Sequence, residues 1–164
     1  MPTKQIAVER WNIVSSKPFH EIVATVADAI GHPDARELQK AIAAASTFKE
    51  MESLIDKQVG PTGLMQFMQF DLGNVLAKGR TGNTPQSLRL LVGNPLIMRQ
   101  MVEHVPDAGA YAPVTILIDE RPDGIHLSYD RMTSFLAPYK STEASKIAAD
   151  LDLKVETLLT KAAT

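Results

Sequence analysis

The segment VTILIDERPDGIHLSYDRM, Val114 to Met132, carries the side chains best suited to chemistry. His126, Ser128 and Asp130 offer an imidazole, a hydroxyl and a carboxylate, the groups of a nucleophilic triad, at every second position. In an extended chain alternate residues share a face. At about 3.3 Å per residue, His126 and Asp130 lie about 13 Å apart and His126 and Ser128 about 6.6 Å apart. Neither pair reaches hydrogen-bond distance, so a triad within an unbroken strand is excluded. Two readings remain for the shared face. It is a solvated sheet surface, or it is the floor of a ligand pocket lined by Tyr111, His126, Ser128 and Asp130. Arg131 would hold an acidic group bidentately; its plain reading is a surface ion pair. Were the protein an enzyme without a cofactor, His126 would be the general acid or base, with Asp130 or Arg131 positioning the substrate.

Other motifs are weaker. The loop AKGRTGNT around Lys78 and Arg80 is Gly-rich and basic, but it lacks the Gly-Lys-Ser/Thr ending of a phosphate-binding loop and reads first as a connector. His20, His32, His104 and His126 show no metal-ligand spacing, so no metal site is expected. The nucleophile elbow Gly-x-Ser-x-Gly and the dinucleotide glycine fingerprint are both missing.

The elements that must position these residues are readable. The polar face belongs to a hairpin turning at Arg121-Pro122-Asp123-Gly124, where proline sets φ and glycine accepts positive φ. Val114, Ile116, Ile118, Ile125, Leu127 and Tyr129 fall on its apolar face. Upstream, KQIAVERWNIV alternates as a first strand, Lys4 to Val14, followed by a helix with Ser16 as a plausible cap and Gly31 at its end. Residues 33–59 are helical in period and break in two at Thr47-x-x-Glu50, a capping-box signature. Strands follow at Leu64–Asp71 and Leu88–Val92, with one short helical turn between them. Asn94-Pro95 opens a well-punctuated helix that Pro106 stops. Ser141 to Thr164 form a last helix with an Ala/Leu/Val stripe. The order β-α-(α-α)-β-β-α-β-β-α predicts one α+β domain over residues 1–164, with a largely antiparallel sheet and helices packed on one face.

Composition narrows the function classes. The 164 residues suffice for one core, and the charge of −2, from 17 basic and 19 acidic residues, implies no field for a polyanion. Nucleic acid is therefore not an expected partner. There is no cysteine, which excludes disulfides and thiolate chemistry. No apolar run approaches membrane-spanning length, and a cytoplasmic location is the default expectation.

From Leu64 to about Pro138 the chain resembles the domain-of-unknown-function 302 family. The resemblance rests on RLLVGNPLIMRQMVEHVPDAGAYAPVTILIDE and on the short Lys-containing segment DLGNVLAKG. It makes residues 64–138 the family-like core and residues 33–59 an additional helical segment. Relatives often carry cysteine before the Asn-Pro pair and after the loop proline. Here those positions are Gly93 and Val114, so a thiol-based role does not transfer. The resemblance implies a small, often self-associating α+β fold and carries no activity. Residues and resemblance together predict a cofactor-free binding domain that takes a small, partly apolar molecule on the second sheet face as a homodimer. The alternatives are an enzyme working through His126 and a purely structural self-association module.

Overall fold

Alternation in five segments and 3.6-residue periodicity in the others resolve into a sheet with a helical layer on one side. A computed structural model describes residues 3–164. The chain runs β1 (Arg10–Ser15), α1 (Phe19–Ala29), α2 (Ala35–Ala44), α3 (Phe48–Asp56), β2 (Met65–Asp71), α4 (Leu72–Ala77), β3 (Ser87–Gly93), α5 (Pro95–His104), β4 (Val114–Arg121), β5 (Gly124–Asp130), α6 (Met132–Leu136) and α7 (Thr142–Ala163). Short 3₁₀ turns cover Pro106–Ala110 and Ala137–Tyr139. The strands are ordered β1-β5-β4-β3-β2 and all neighbours are antiparallel. The protein is thus α+β, as expected.

The hairpin has the register that its turn residues dictate. Arg121 pairs with Gly124, Ile118 with Leu127 and Ile116 with Tyr129. Gly124 sits at φ +138°, and a Cβ there would lie 2.7 Å from the Ser15 carbonyl oxygen, so glycine is required twice over. Ile116, Ile118, Leu127 and Tyr129 are buried with Leu90 and Val92 of β3 beneath α1, α5 and α7. The α7 stripe of Ala144, Ala148, Leu151, Val155, Leu158 and Ala162 is buried in the same core. A smaller cluster of Leu38, Ile55 and Met65 forms where α2 and α3 meet the start of β2.

Caps follow the side-chain chemistry. Thr47 accepts from the Glu50 amide, while the Glu50 carboxylate accepts from the Ser46 amide at 2.8 Å, a capping box displaced by one residue. Asn94 accepts from the Leu96 amide and its own amide donates to the Gly63 carbonyl.

Two local expectations change. The first strand is confined to Arg10–Ser15, because Arg10 already pairs with Asp130, the last residue of β5, and among the described residues no partner strand extends past it. The cap position of α1 is Pro18, not Ser16. Gly31 follows the last turn of α1, as expected, and its backbone also forms a parallel bridge to Met65.

Candidate functional site

The face of the sheet turned away from α1, α5 and α7 is built from every second residue of β1, β3, β4 and β5 and from the tail of β2. Cross-strand partners share a face. Asn12, Ser128 and Leu117 therefore form one row across β1, β5 and β4, Val14, His126 and Asp119 form another, and Arg10 stands beside Asp130. Thr115, Leu91 and Met68 continue the row, as do Leu117, Arg89 and Phe70. A shift in β2 between Gln66 and Met68 turns Met68 and Phe70 onto this face, where both are exposed. His126 and Ser128 are nonetheless only 8% and 6% exposed, because β5 lies between β1 and β4 and their neighbours crowd over them.

Charge on this face is mostly neutralised in pairs. Arg10 grips Asp130 with both ends of its guanidinium, at 2.7 and 2.9 Å. This hydrogen bonding, and then the carboxylate charge, raises the Arg10 pKa further. Arg121 holds Asp119 in the same way, at 2.7 and 3.2 Å. The His126 Nε2 lies 2.9 Å from the carboxylate of Asp123 in the turn. That hydrogen bond lowers the Asp123 carboxyl below its ordinary value. The other ring nitrogen, Nδ1, is buried without a hydrogen-bond partner among the described residues. Ser128 accepts from the Asn12 side-chain amide at 2.8 Å, which leaves its own proton available. Arg89 forms no ion pair among the described residues; it lies over the Phe70 ring at 5.9 Å.

Beside β2 the chain turns at Asp71, whose carboxylate caps α4 by accepting from the Asn74 amide. Leu72 then overhangs the sheet. With Arg10, Arg89, Thr115, Leu117, Ser128 and Asp130 it encloses a hollow of about 210 Å³. Apolar walls with a few convergent polar groups suit a small organic ligand.

The five residues singled out from sequence divide into three places. Ser128 and Asp130 line the hollow, and His126 stands two positions along β5, next to Asp123. Tyr111 lies on the helical side, its hydroxyl 2.8 Å from that of Tyr139 and its ring stacked on Phe135. The Tyr111 hydrogen bond, burial and Asp107 raise the Tyr139 phenol above the usual tyrosine range. Arg131 is taken up by Glu156 of α7 at 2.7 Å and by Glu9 at 3.4 Å. Sequence reasoning passed over Arg89 and Leu72. The alternation of LRLLV does place Arg89 opposite the buried Leu88 and Leu90, but nothing local shows that α4 folds over it.

One buried polar cluster lies on the other side of the sheet. Asp152 of α7 accepts from the Tyr129 hydroxyl at 2.6 Å, from the Met132 and Thr133 amides at 2.7 and 3.1 Å, and from the Thr133 hydroxyl at 2.6 Å. A carboxylate with four donors is fully satisfied. Its chemistry is that of a fastener: it caps α6 from a distance and fixes the end of β5 to α7. Among the described residues no group of three or more His, Asp or Glu side chains is placed to hold a metal, and no helix is long and apolar enough to cross a membrane.

Comparison with known proteins agrees with the topology. A family model described as "Domain of unknown function DUF302" matches residues 39–162. An uncharacterised conserved DUF302 protein from Bacillus stearothermophilus, known from a crystal structure, superposes with a TM-score of 0.63 at 13% identity, over 94% of this chain and 98% of that one. At that identity the likeness concerns the fold alone. No curated protein matches the chain.

Proposed function

This chain belongs to the DUF302 family, and from that premise we propose that it is a binding domain: it takes a small, partly apolar organic acid in the hollow over the second sheet face and self-associates through that face. The observation that carries the reading is Arg89. Arg10, Arg121 and Arg131 all hold carboxylates, whereas Arg89 stands without one among the described residues, at the edge of a space walled by Leu72 and Leu117. A ligand carboxylate would complete it bidentately. Ser128 and Thr115 supply hydroxyls, and Asp130 keeps Arg10 folded against the wall. The His126 ring offers no free nitrogen toward the hollow, because Nε2 faces Asp123 and Nδ1 is sealed in. Binding is therefore favoured over acid–base catalysis.

Self-association has its own support. Val14, Met68 and Phe70 are exposed on this face, and Val75 and Leu76 are exposed on the overhanging α4. A run of large apolar groups on one side of a small protein marks an interaction surface, and two copies meeting face to face would be related by a two-fold axis.

The binding test is an amide chemical-shift titration with benzoate. Saturable shifts at Arg89, Leu117 and Ser128, lost at least tenfold in Arg89→Ala, are expected. An undiminished response in Arg89→Ala would remove the hollow as the site. For association, sedimentation velocity should give twice the 17.9 kDa chain mass, and Met68→Lys with Phe70→Lys should return the monomer.

A further inference from the structure

A second cavity lies on the opposite side of the molecule, in the helical layer, and owes nothing to the face just described. It is a groove of about 620 Å³ between α1, α7 and the loop 60–63. Its apolar surface comes from Ala29, Pro61, Leu153 and Leu158. Leu158 is buried, but Leu153 is 65% exposed, an aliphatic side chain among the polar outward positions of α7. Lys154, Thr157, Leu158 and Lys161 follow at spacings of three, one and three, so one stripe of α7 faces the groove.

The polar groups there are unevenly employed. Thr25 and Thr62 donate their hydroxyls to backbone carbonyls, at 2.9 and 2.8 Å, and so offer the groove only acceptors. Lys154 and Lys161 form no ion pair among the described residues. Seven residues apart, they are separated by about 10 Å along the helix. Asp28 is the one acid in the lining, and two ammonium groups outweigh it.

The wall is preformed. Gly60 donates to the Leu64 carbonyl and Thr62 to the Ala29 carbonyl. A Cβ on Gly60 would stand 2.4 Å from the Ile30 backbone, so the loop is packed hard against the end of α1. Lys154 Nζ lies 3.9 Å from where a Cβ on Gly63 would be.

We propose that this groove is a binding site for an amphipathic carboxylate, with the acidic head held by Lys154 and Lys161 and an aromatic or branched aliphatic body lying on Leu153, Pro61 and Leu158. The size suits a small organic molecule, the net charge of the lining selects an anion, and the rigid wall spares the cost of ordering on binding.

The test is an amide chemical-shift titration of the full chain with 4-phenylbutyrate, and with 4-phenylbutanol as the uncharged control. Saturable shifts are expected at residues 25–29, 61–63 and 153–161, with the alcohol at least tenfold weaker. Lys154→Glu with Lys161→Glu should weaken the acid at least tenfold, and Leu153→Asp should weaken both ligands. Arg89→Ala should leave these shifts unchanged, which separates this site from the hollow on the sheet. Should the double charge reversal disturb folding, Lys154→Gln with Lys161→Gln replaces it, with the same loss expected. Equal affinity for acid and alcohol, no shifts in the groove, or full binding by the charge variants would each overturn the assignment.

Discussion

Asp152 and His126 show two opposite fates of a buried polar side chain. Asp152 has four donors, so its removal strands the Tyr129 hydroxyl and the first amides of α6. Asp152→Ala should cost about 3 kcal/mol, the usual scale for breaking a buried charged hydrogen-bond set, read as a lower urea midpoint. Tyr129 supplies a pH signature. Burial, and then the Asp152 charge, push its phenol far above the ordinary tyrosine range. A folded-state pKa above the unfolded one gives stability that is complete below about pH 10 and is lost as pH rises, by about 1.4 kcal/mol per unit. Urea unfolding between pH 9 and 12 should show that slope, and Tyr129→Phe should lack it. The placement of His126, Ser128 and Asp130 on one face was legible, because strand alternation is a local property. The partners Asp123 and Asp152 were not. Asp123 meets His126 only once the hairpin closes in its two-residue register, and Asp152 meets Tyr129 only through packing of α7, 23 residues on.

Elements with their own punctuation were the ones readable without a structure. Thr47-x-x-Glu50 and Asn94-Pro95 satisfy orphan amides with neighbouring side chains, so sequence alone marks those helix starts. α6 was invisible, because its amides are satisfied by a residue of another helix. The helix stop at Gly31 was legible, whereas its backbone bridge to β2 was hidden for the same reason. Asn94 does more than cap α5, since its amide also ties that helix to the Gly63 carbonyl. Asn94→Ala should therefore cost about 2 kcal/mol, at the upper end of capping losses, by the same urea measurement. The Arg10–Asp130 pair is short but solvated, and Arg10→Ala should change stability by less than about 1 kcal/mol.

Across the whole molecule, the first strand and the last helix support each other. Ser15 donates to the Ala163 carbonyl at 2.6 Å, and α7 packs against α1, α5 and α6. Trp11, the only tryptophan, lies on β1 opposite Tyr129. Its fluorescence should change in one transition together with the helical circular dichroism; a separate earlier fluorescence step would show β1 leaving alone. The antiparallel layout was legible from short connections between paired strands, while the overhang of α4 and the groove beside α7 arise only when distant segments meet.

The contact of Gly31 with residues 58 and 59 reaches further than one turn. A Cβ there would lie 1.7 Å from the Gln58 oxygen, so the backbone leaving α1 is wedged against the backbone leaving α3. With Leu38 and Ile55 closed over Met65, the α2–α3 pair is a fixed buttress rather than a swinging cover. Its amides should resist deuterium exchange about as long as those of the central strands, and a methyl group at position 31 should release both together.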